Sequence, residues 1–219
     1  MYKSTIAAAL LLSGSLATSS VLAQAQRIEA DVVTADANAL QLRSHAGNTV
    51  TVMVDDSTRL SARSASTVDK IVPGAFIGTT AVPGADGTLT AVEVHIFAES
   101  MRGTGEGHRP MAGAPGSTMT NATVSGATRA VASKNTMTNA TVASEAGSAK
   151  EGLKLKLTYA GGEQVVTVAP GTPVELIEPA TRSALVPGAH VLVFAEPRAD
   201  GVLFAQRINI GKNGYVPTR

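Results

Sequence analysis

Cysteine and tryptophan are absent from the 219 residues, and only four phenylalanines and three tyrosines are present. Without cysteine there are no disulfide staples, no thiolate metal ligands, no thiol nucleophile and no lipid-modified cysteine at an N-terminus. Aromatics this scarce argue against a surface that stacks single-stranded bases. Charge of one sign is lacking too, with 18 Lys and Arg against 17 Asp and Glu. Nucleic-acid binding normally shows a basic face, because phosphate contacts supply most of its non-specific affinity, so DNA and RNA are not expected partners. No Gly-x-Ser-x-Gly elbow, His-Glu-x-x-His pair or P-loop occurs, and this chain is read as a non-enzyme with no cofactor. A spanning helix needs about 20 continuous apolar residues, and no run of that length is found.

The first apolar run has the organisation of an export signal. Lys3 precedes Ile6, Ala7, Ala8, Ala9, Leu10, Leu11 and Leu12, and Ser13, Gly14 and Ser15 then interrupt the run. Small residues at Val21-Leu22-Ala23 and Ala23-Gln24-Ala25 predict cleavage after Ala23 or Ala25. Residues 1–25 are therefore assigned to a signal peptide, with a periplasmic address for the remainder. Loss of Lys3 leaves 17 charges of each sign.

An internal repeat organises the rest of the chain. Val72-Pro73-Gly74-Ala75 recurs as Val186-Pro187-Gly188-Ala189, displaced by 114 positions, and Ala85-Asp86-Gly87 recurs as Ala199-Asp200-Gly201 at the same offset. Val92, Val94 and Ile96 fall on Gln206, Ile208 and Ile210, again at 114. Period-two alternation predicts strands at 27–33, 39–43, 50–54, 75–82 and 88–97, with a helical turn at 66–71. The second copy predicts 152–157, 164–168, 190–195 and 202–210, with a turn at 181–185. Pro fixes φ at the second turn position and Gly supplies positive φ at the third, so each Val-Pro-Gly-Ala predicts a type II turn. The order β-β-β-α-β-β is that of an oligonucleotide/oligosaccharide-binding (OB-like) barrel. The expected fold is all-β: two tandem five-stranded barrels at 26–99 and 136–212, a flexible Gly/Ser/Thr-rich linker at 100–135, and a tail at 213–219.

One segment is duplicated verbatim. Thr118-Met119-Thr120-Asn121-Ala122-Thr123-Val124 returns 18 positions later as Thr136 to Val142. The later copy reaches Leu153 through about ten residues and the earlier through about 28, a loop-closure difference of roughly 1 kcal/mol. The later copy is therefore expected to be the first strand of the second barrel.

The paired strands, the Val-Pro-Gly-Ala turns, the Ala-Asp-Gly hairpins and the stretch Gly103 to Pro110 resemble an uncharacterised family of exported proteobacterial proteins. Nearly all the chain after the signal shares the resemblance. It implies repeated small OB-like domains and a periplasmic address, and it brings no catalytic residues.

Candidate chemistry is sparse. Gly103, Gly105 and Gly107 would let backbone amides form an anion nest, with His108 and Arg109 adding positive charge, which makes this loop the first ligand-binding candidate. Met101, Met111, Met119, Met137 and His108 gather soft ligands suited to copper in the linker, at spacings too wide for a methionine tract. His45, His95, His108 and His190 stand singly, so no metal site is assigned. Glu93 and His95 alternate onto one strand face, which is expected to be solvated. Phe76, Phe97, Phe194 and Phe204 are expected in the core. The expected function is a binding or interaction module for a small molecule, glycan or envelope protein. Metal handling through the Met/His linker and a structural envelope role are the alternatives.

Overall fold

The described residues form thirteen strands, among them those that apolar alternation predicts. The computed structural model describes residues 25–84, 88–111, 114–130, 152–198 and 200–217. The strands are β1 (Gln26–Ala35), β2 (Ala39–Ser44), β3 (Thr49–Met53), β4 (Arg59–Ala65), β5 (Phe76–Pro83), β6 (Leu89–Phe97) and β7 (Gly107–Pro110). After them come β8 (Thr118–Ala130), β9 (Gly152–Tyr159), β10 (Gly162–Val168), β11 (Val174–Pro179), β12 (His190–Pro197) and β13 (Leu203–Gly211). No α-helix occurs among the described residues. The expected helical turns appear as single 3-10 turns at Val68–Lys70 and Arg182–Ala184. Gly74 and Gly188 take φ of 89° and 83°, and Ala75 and Ala189 donate to the carbonyls of Val72 and Val186, as a type II turn requires.

Strand pairing follows a pattern that the repeat alone does not reveal. β1 pairs with β12, β12 with β13, β13 with β3, and β3 returns through β2 to β1. A second closed path runs β8, β5, β6, β10, β9 and back to β8. Each five-stranded ring thus takes three strands from one repeat and two from the other. The expected division into 26–99 and 136–212 is corrected accordingly, because neither range holds all the strands of a ring. Matching hydrogen bonds seal each exchange. Val32 N–H donates to Ala189 O and Gly188 N–H to Val32 O, while Val124 N–H donates to Ala75 O and Gly74 N–H to Val124 O.

Two strands absent from the sequence expectation carry the chain between rings. β4 lies beside β13 in parallel and β11 beside β6 in parallel, and β4 and β11 pair antiparallel, joining the rings into one 13-stranded sheet. Arg59–Ala65 reads weakly as a strand because it holds no β-branched or aromatic residue. At about 3.3 Å per residue, seven residues span roughly 23 Å, which takes β5 away from β1–β3 and toward the other ring.

The stretch assigned to the linker is also corrected. Thr118–Ala130 is β8, with Thr120, Ala122 and Val124 buried, and β7 pairs with its first four residues. The later copy, 136–142, lies outside the described residues, as do the signal assignment at 1–24, the Ala85-Asp86-Gly87 turn and Met137. The earlier copy gains a continuation through Ser125–Arg129 along β9 and a partner in β7. Such added ladder pairs, each worth a few tenths of a kcal/mol or more, outweigh a loop term of roughly 1 kcal/mol.

Each ring encloses an aliphatic core drawn from both repeats. One packs Leu40, Leu42 and Val52 against Val191, Val193 and Ile208. The other packs Ile77 and Val94 against Ala122, Val124, Leu155 and Val166. Of the four phenylalanines only Phe76 is fully buried. Phe194 and Phe204 instead carry Arg207 and Arg198 on their faces, with guanidinium-to-ring distances of 4.0 and 3.4 Å.

Burying one aliphatic side chain is worth roughly 1.5–3 kcal/mol, and whole domains are stable by only about 5–15 kcal/mol. A fragment of residues 26–104 holds three strands of one ring and two of the other, so alone it leaves both cores open. It is expected to be unfolded at low concentration and to fold as a dimer on concentration, one copy's β1–β3 closing on the other's β5–β6. Sedimentation with circular dichroism across a concentration series checks this. A folded monomer would show that a repeat closes on itself.

Candidate functional site

Among the described residues, two clusters of three or more histidine and carboxylate side chains form on the sheet, and both join residues far apart in sequence. The first is buried. β11 beside β6 sets Glu175 directly against His95. Glu93, His95, Glu175 and Arg63 are 4%, 8%, 3% and 7% exposed, as little as many of the aliphatic core residues. Reading Glu93 and His95 as a solvated face is therefore corrected: β11 and the C-terminal Tyr215 close over that face. His95 Nε2 pairs with Glu93 and lies 3.7 Å from Glu175 Oε2, while Arg63 donates to Glu175 Oε2 at 2.6 Å and the Tyr215 hydroxyl donates to Oε1. Burial pushes the Tyr215 hydroxyl well above the ordinary phenol range, and its hydrogen bond to Glu175 and nearby carboxylate charge add to that. It stays a donor.

Glu93, His95 and Glu175 bring their ligand atoms within 4.8 Å of one another. A divalent ion there would have to displace donors from both oxygens of Glu175. It would also place two positive charges beside a buried guanidinium, and in a low-dielectric setting that is costly. The donor set fits an ion-pair network better than a metal.

The second cluster lies at the surface of the ring containing β1. Asp31 projects from β1, His190 begins β12 as its direct register partner, and His45 sits in the turn after β2. His190 Nδ1 pairs with Asp31 Oδ1 at 2.5 Å, and His45 Nε2 approaches the same oxygen at 3.6 Å. His45 Nδ1 faces Glu29 Oε2 at 4.0 Å, and Glu29 is held by Arg27 at 2.5 Å. An open groove of about 580 Å³, lined in part by Glu29, His45 and Asn48, runs alongside. The His190 hydrogen bond holds the Asp31 carboxyl below its ordinary value, with the charges of His190 and His45 contributing. A depressed carboxylate stabilises the fold above its unfolded value and loses that contribution as pH falls through the folded one.

Sequence reasoning missed this centre because His45 and His190 are separated by 145 positions and share no motif. Only the exchange of β12 onto β1 brings them together.

The glycine loop has a definite conformation. Gly105 and Gly107 take φ of 55° and 126°, which admits glycine and few other residues. Arg109 folds back to donate to Gly105 O at 2.7 Å, and Asn121 donates to Thr104 O at 2.9 Å. The amides of Thr104 and Glu106 donate within the turn, to Met101 and Gly103. His108 pairs with Thr120 at 2.8 Å and stacks beside Tyr159. Gly103, at φ 83°, opens this loop, which packs along β8.

Residues 27–95 and 130–209, together more than half of the chain, match a family described as a domain of unknown function, DUF5666. The second match starts at the last residue of β8, so most of the strand that opens the second repeat in the fold lies outside it. No curated protein matches the chain, and no solved structure matches it.

Removing one partner of a buried ion pair typically costs about 3–5 kcal/mol, whereas replacing the pair with apolar groups costs far less. Arg63→Met is expected to destabilise in that range, and Arg63→Met with Glu175→Leu by less than the single change. Urea unfolding of the two variants measures the difference. Equal losses would mean that the pair is solvated.

Proposed function

We propose that this chain, which belongs to the DUF5666 family, is an exported, non-enzymatic binding module that holds a divalent transition metal at Asp31, His45 and His190. In this reading each five-stranded ring is an OB-like barrel, and the leader at residues 1–25 delivers the protein to the periplasm.

The observation that carries the reading is the convergence of two imidazoles, one from each repeat, on a single carboxylate oxygen. Bonds of about 2.0–2.1 Å to a tetrahedral ion place neighbouring ligand atoms about 3.3 Å apart. The separations of 2.5 and 3.6 Å around Asp31 Oδ1 bracket that value. Imidazole with carboxylate suits zinc, nickel and copper rather than magnesium or calcium. Glu29, opposite Nδ1 of His45, would keep that ring's Nε2 free to ligate. Three protein ligands at a half-exposed surface leave a coordination position for water, a small molecule or a partner's side chain.

Titration of the full exported chain with zinc, nickel or copper(II) is expected to give one site. His45→Ala and His190→Ala should each weaken it by about tenfold or more, because each removes one of three protein ligands. Binding unchanged in the double variant would remove the assignment. N-terminal sequencing of the protein from the periplasm checks the address, with Gln24 or Gln26 expected first. A product that keeps Met1 would contradict export.

A further inference from the structure

The repeat positions that build the buried acidic cluster have counterparts of opposite character 114 residues away. Glu93 corresponds to Arg207, His95 to Asn209 and Glu175 to Ser61. These counterparts occupy the same place in the other half of the sheet. Asn209 is the register partner of Ser61 across β13 and β4, as His95 is of Glu175 across β6 and β11. One half of the pair has thus become rich in acceptors, and the other rich in donors.

The donor-rich half has donors without acceptors. On β4, Leu60 packs toward the ring core, so Arg59, Ser61 and Arg63 share the opposite face. Arg207 lies directly across from Arg59, and Asn209 directly across from Ser61. Like charges facing each other across a ladder repel. Among the described residues no acidic group pairs with Arg59 or Arg207. Deeper along the same face, Asn209 is fully buried and accepts from Ser61 through Oδ1, and its Nδ2 has no partner among the described residues. Arg63, 7% exposed, commits Nη1 to Glu175, and its Nε likewise has no partner. An unmet buried donor costs about 1–3 kcal/mol, more when charged. Two of them lie on one strip, next to two guanidiniums without a carboxylate.

We propose that the exposed end of this strip on β4 and β13 binds a small oxyanion of the phosphate or sulfate type, received by Arg59 and Arg207 beside the buried Asn209. Guanidinium forks match tetrahedral oxyanions, and hydrogen bonds to charged acceptors are the stronger ones. Arg207 is oriented beforehand by stacking on Phe194 at 4.0 Å. Access is from the exposed end, where Arg59 opens on a groove of about 460 Å³ that Arg198, Gln206 and Glu196 also line. The Glu196 carboxylate is not ion-paired with either arginine, and it disfavours ligands bearing more than one anionic group on that side. Burial, with the charges of Arg63 and Arg59, holds the Arg207 guanidinium below its ordinary value. A bound anion would relieve that repulsion. The strip is separate from Asp31, His45 and His190, so the two assignments fail independently.

The experiment is a titration of the metal-free full chain with inorganic phosphate at constant ionic strength, with chloride as the control. Side-chain NMR of Arg Nε–H and Asn Nδ2–H₂ groups reads the result. Saturable shifts are expected at Arg59, Arg207 and Asn209, with thermal stability rising alongside. Arg59→Gln, at an exposed position that leaves the core intact, should weaken binding roughly tenfold, as should Arg207→Gln. Glycerol phosphate in place of inorganic phosphate separates a free ion from a group carried on a larger molecule. Saturation by either supports the strip as an oxyanion site. Shifts that stay linear and match those with chloride, or binding that survives both arginine changes, would overturn it.

Discussion

Strand exchange between the two repeats governs the architecture. Val32 lies against Gly188 and Ala189, Val124 against Gly74 and Ala75, and each contact closes a ring with a strand from the other copy. Neither core can form from one repeat, so the two halves are obliged to fold together. The type II turns serve this directly. Gly74 and Gly188 place their own N–H groups toward the exchanged strand, which makes the most recognisable motif in the chain part of the inter-repeat seam.

Exchange also creates an interior that neither ring would have alone. Once β4 and β11 run between the rings, Glu93 and His95 on β6 and Asn209 on β13 are buried. Polar residues there must find partners or remain unmet. On the β6 side, Arg63, Tyr215 and His95 meet the two carboxylates. On the β13 side, the donors of Arg63 and Asn209 are left over. Arg63 stands between the halves, its Nη1 donating to Glu175 and its Nε without a partner among the described residues. A duplicated scaffold has thus come to hold Arg207 where its other half holds Glu93, and neutral Asn209 and Ser61 where it holds His95 and Glu175, and the proposed oxyanion strip follows from that asymmetry.

The two metal-capable clusters differ for a reason of solvation. At Asp31 the carboxylate and both imidazoles remain partly exposed, so an incoming ion trades water for ligands at little cost in burial. At Glu175 the ligands are already spent on donors. The more conspicuous concentration of charge in the interior is thus the poorer metal site, and the modest surface cluster is the better one.

Much of this protein is written locally. Alternation in Val50, Val52 and Val54, the Val-Pro-Gly-Ala turns and the offset of 114 specify an all-β chain with two equivalent halves, because strand period and turn chemistry depend on neighbours in sequence. What alternation cannot specify is the partner. Both repeats present nearly the same apolar faces, so pairing β1 with β5 or with β12 buries similar side chains. The choice falls to β4, whose Arg-Ser-Ala pattern is a weak strand signal until β11 and β13 lie beside it. The duplicated segment was assigned by loop length alone for the same reason, since identical residues differ only in what flanks them. His45 and His190 acquired chemical meaning only when long-range pairing set both within a few ångströms of one Asp31 oxygen, and His95 when it was set beside Glu175. Elements and their duplication are thus local properties of the chain. Which elements meet is not, because hydrophobic burial is non-directional and identical faces satisfy it equally well until the whole fold closes.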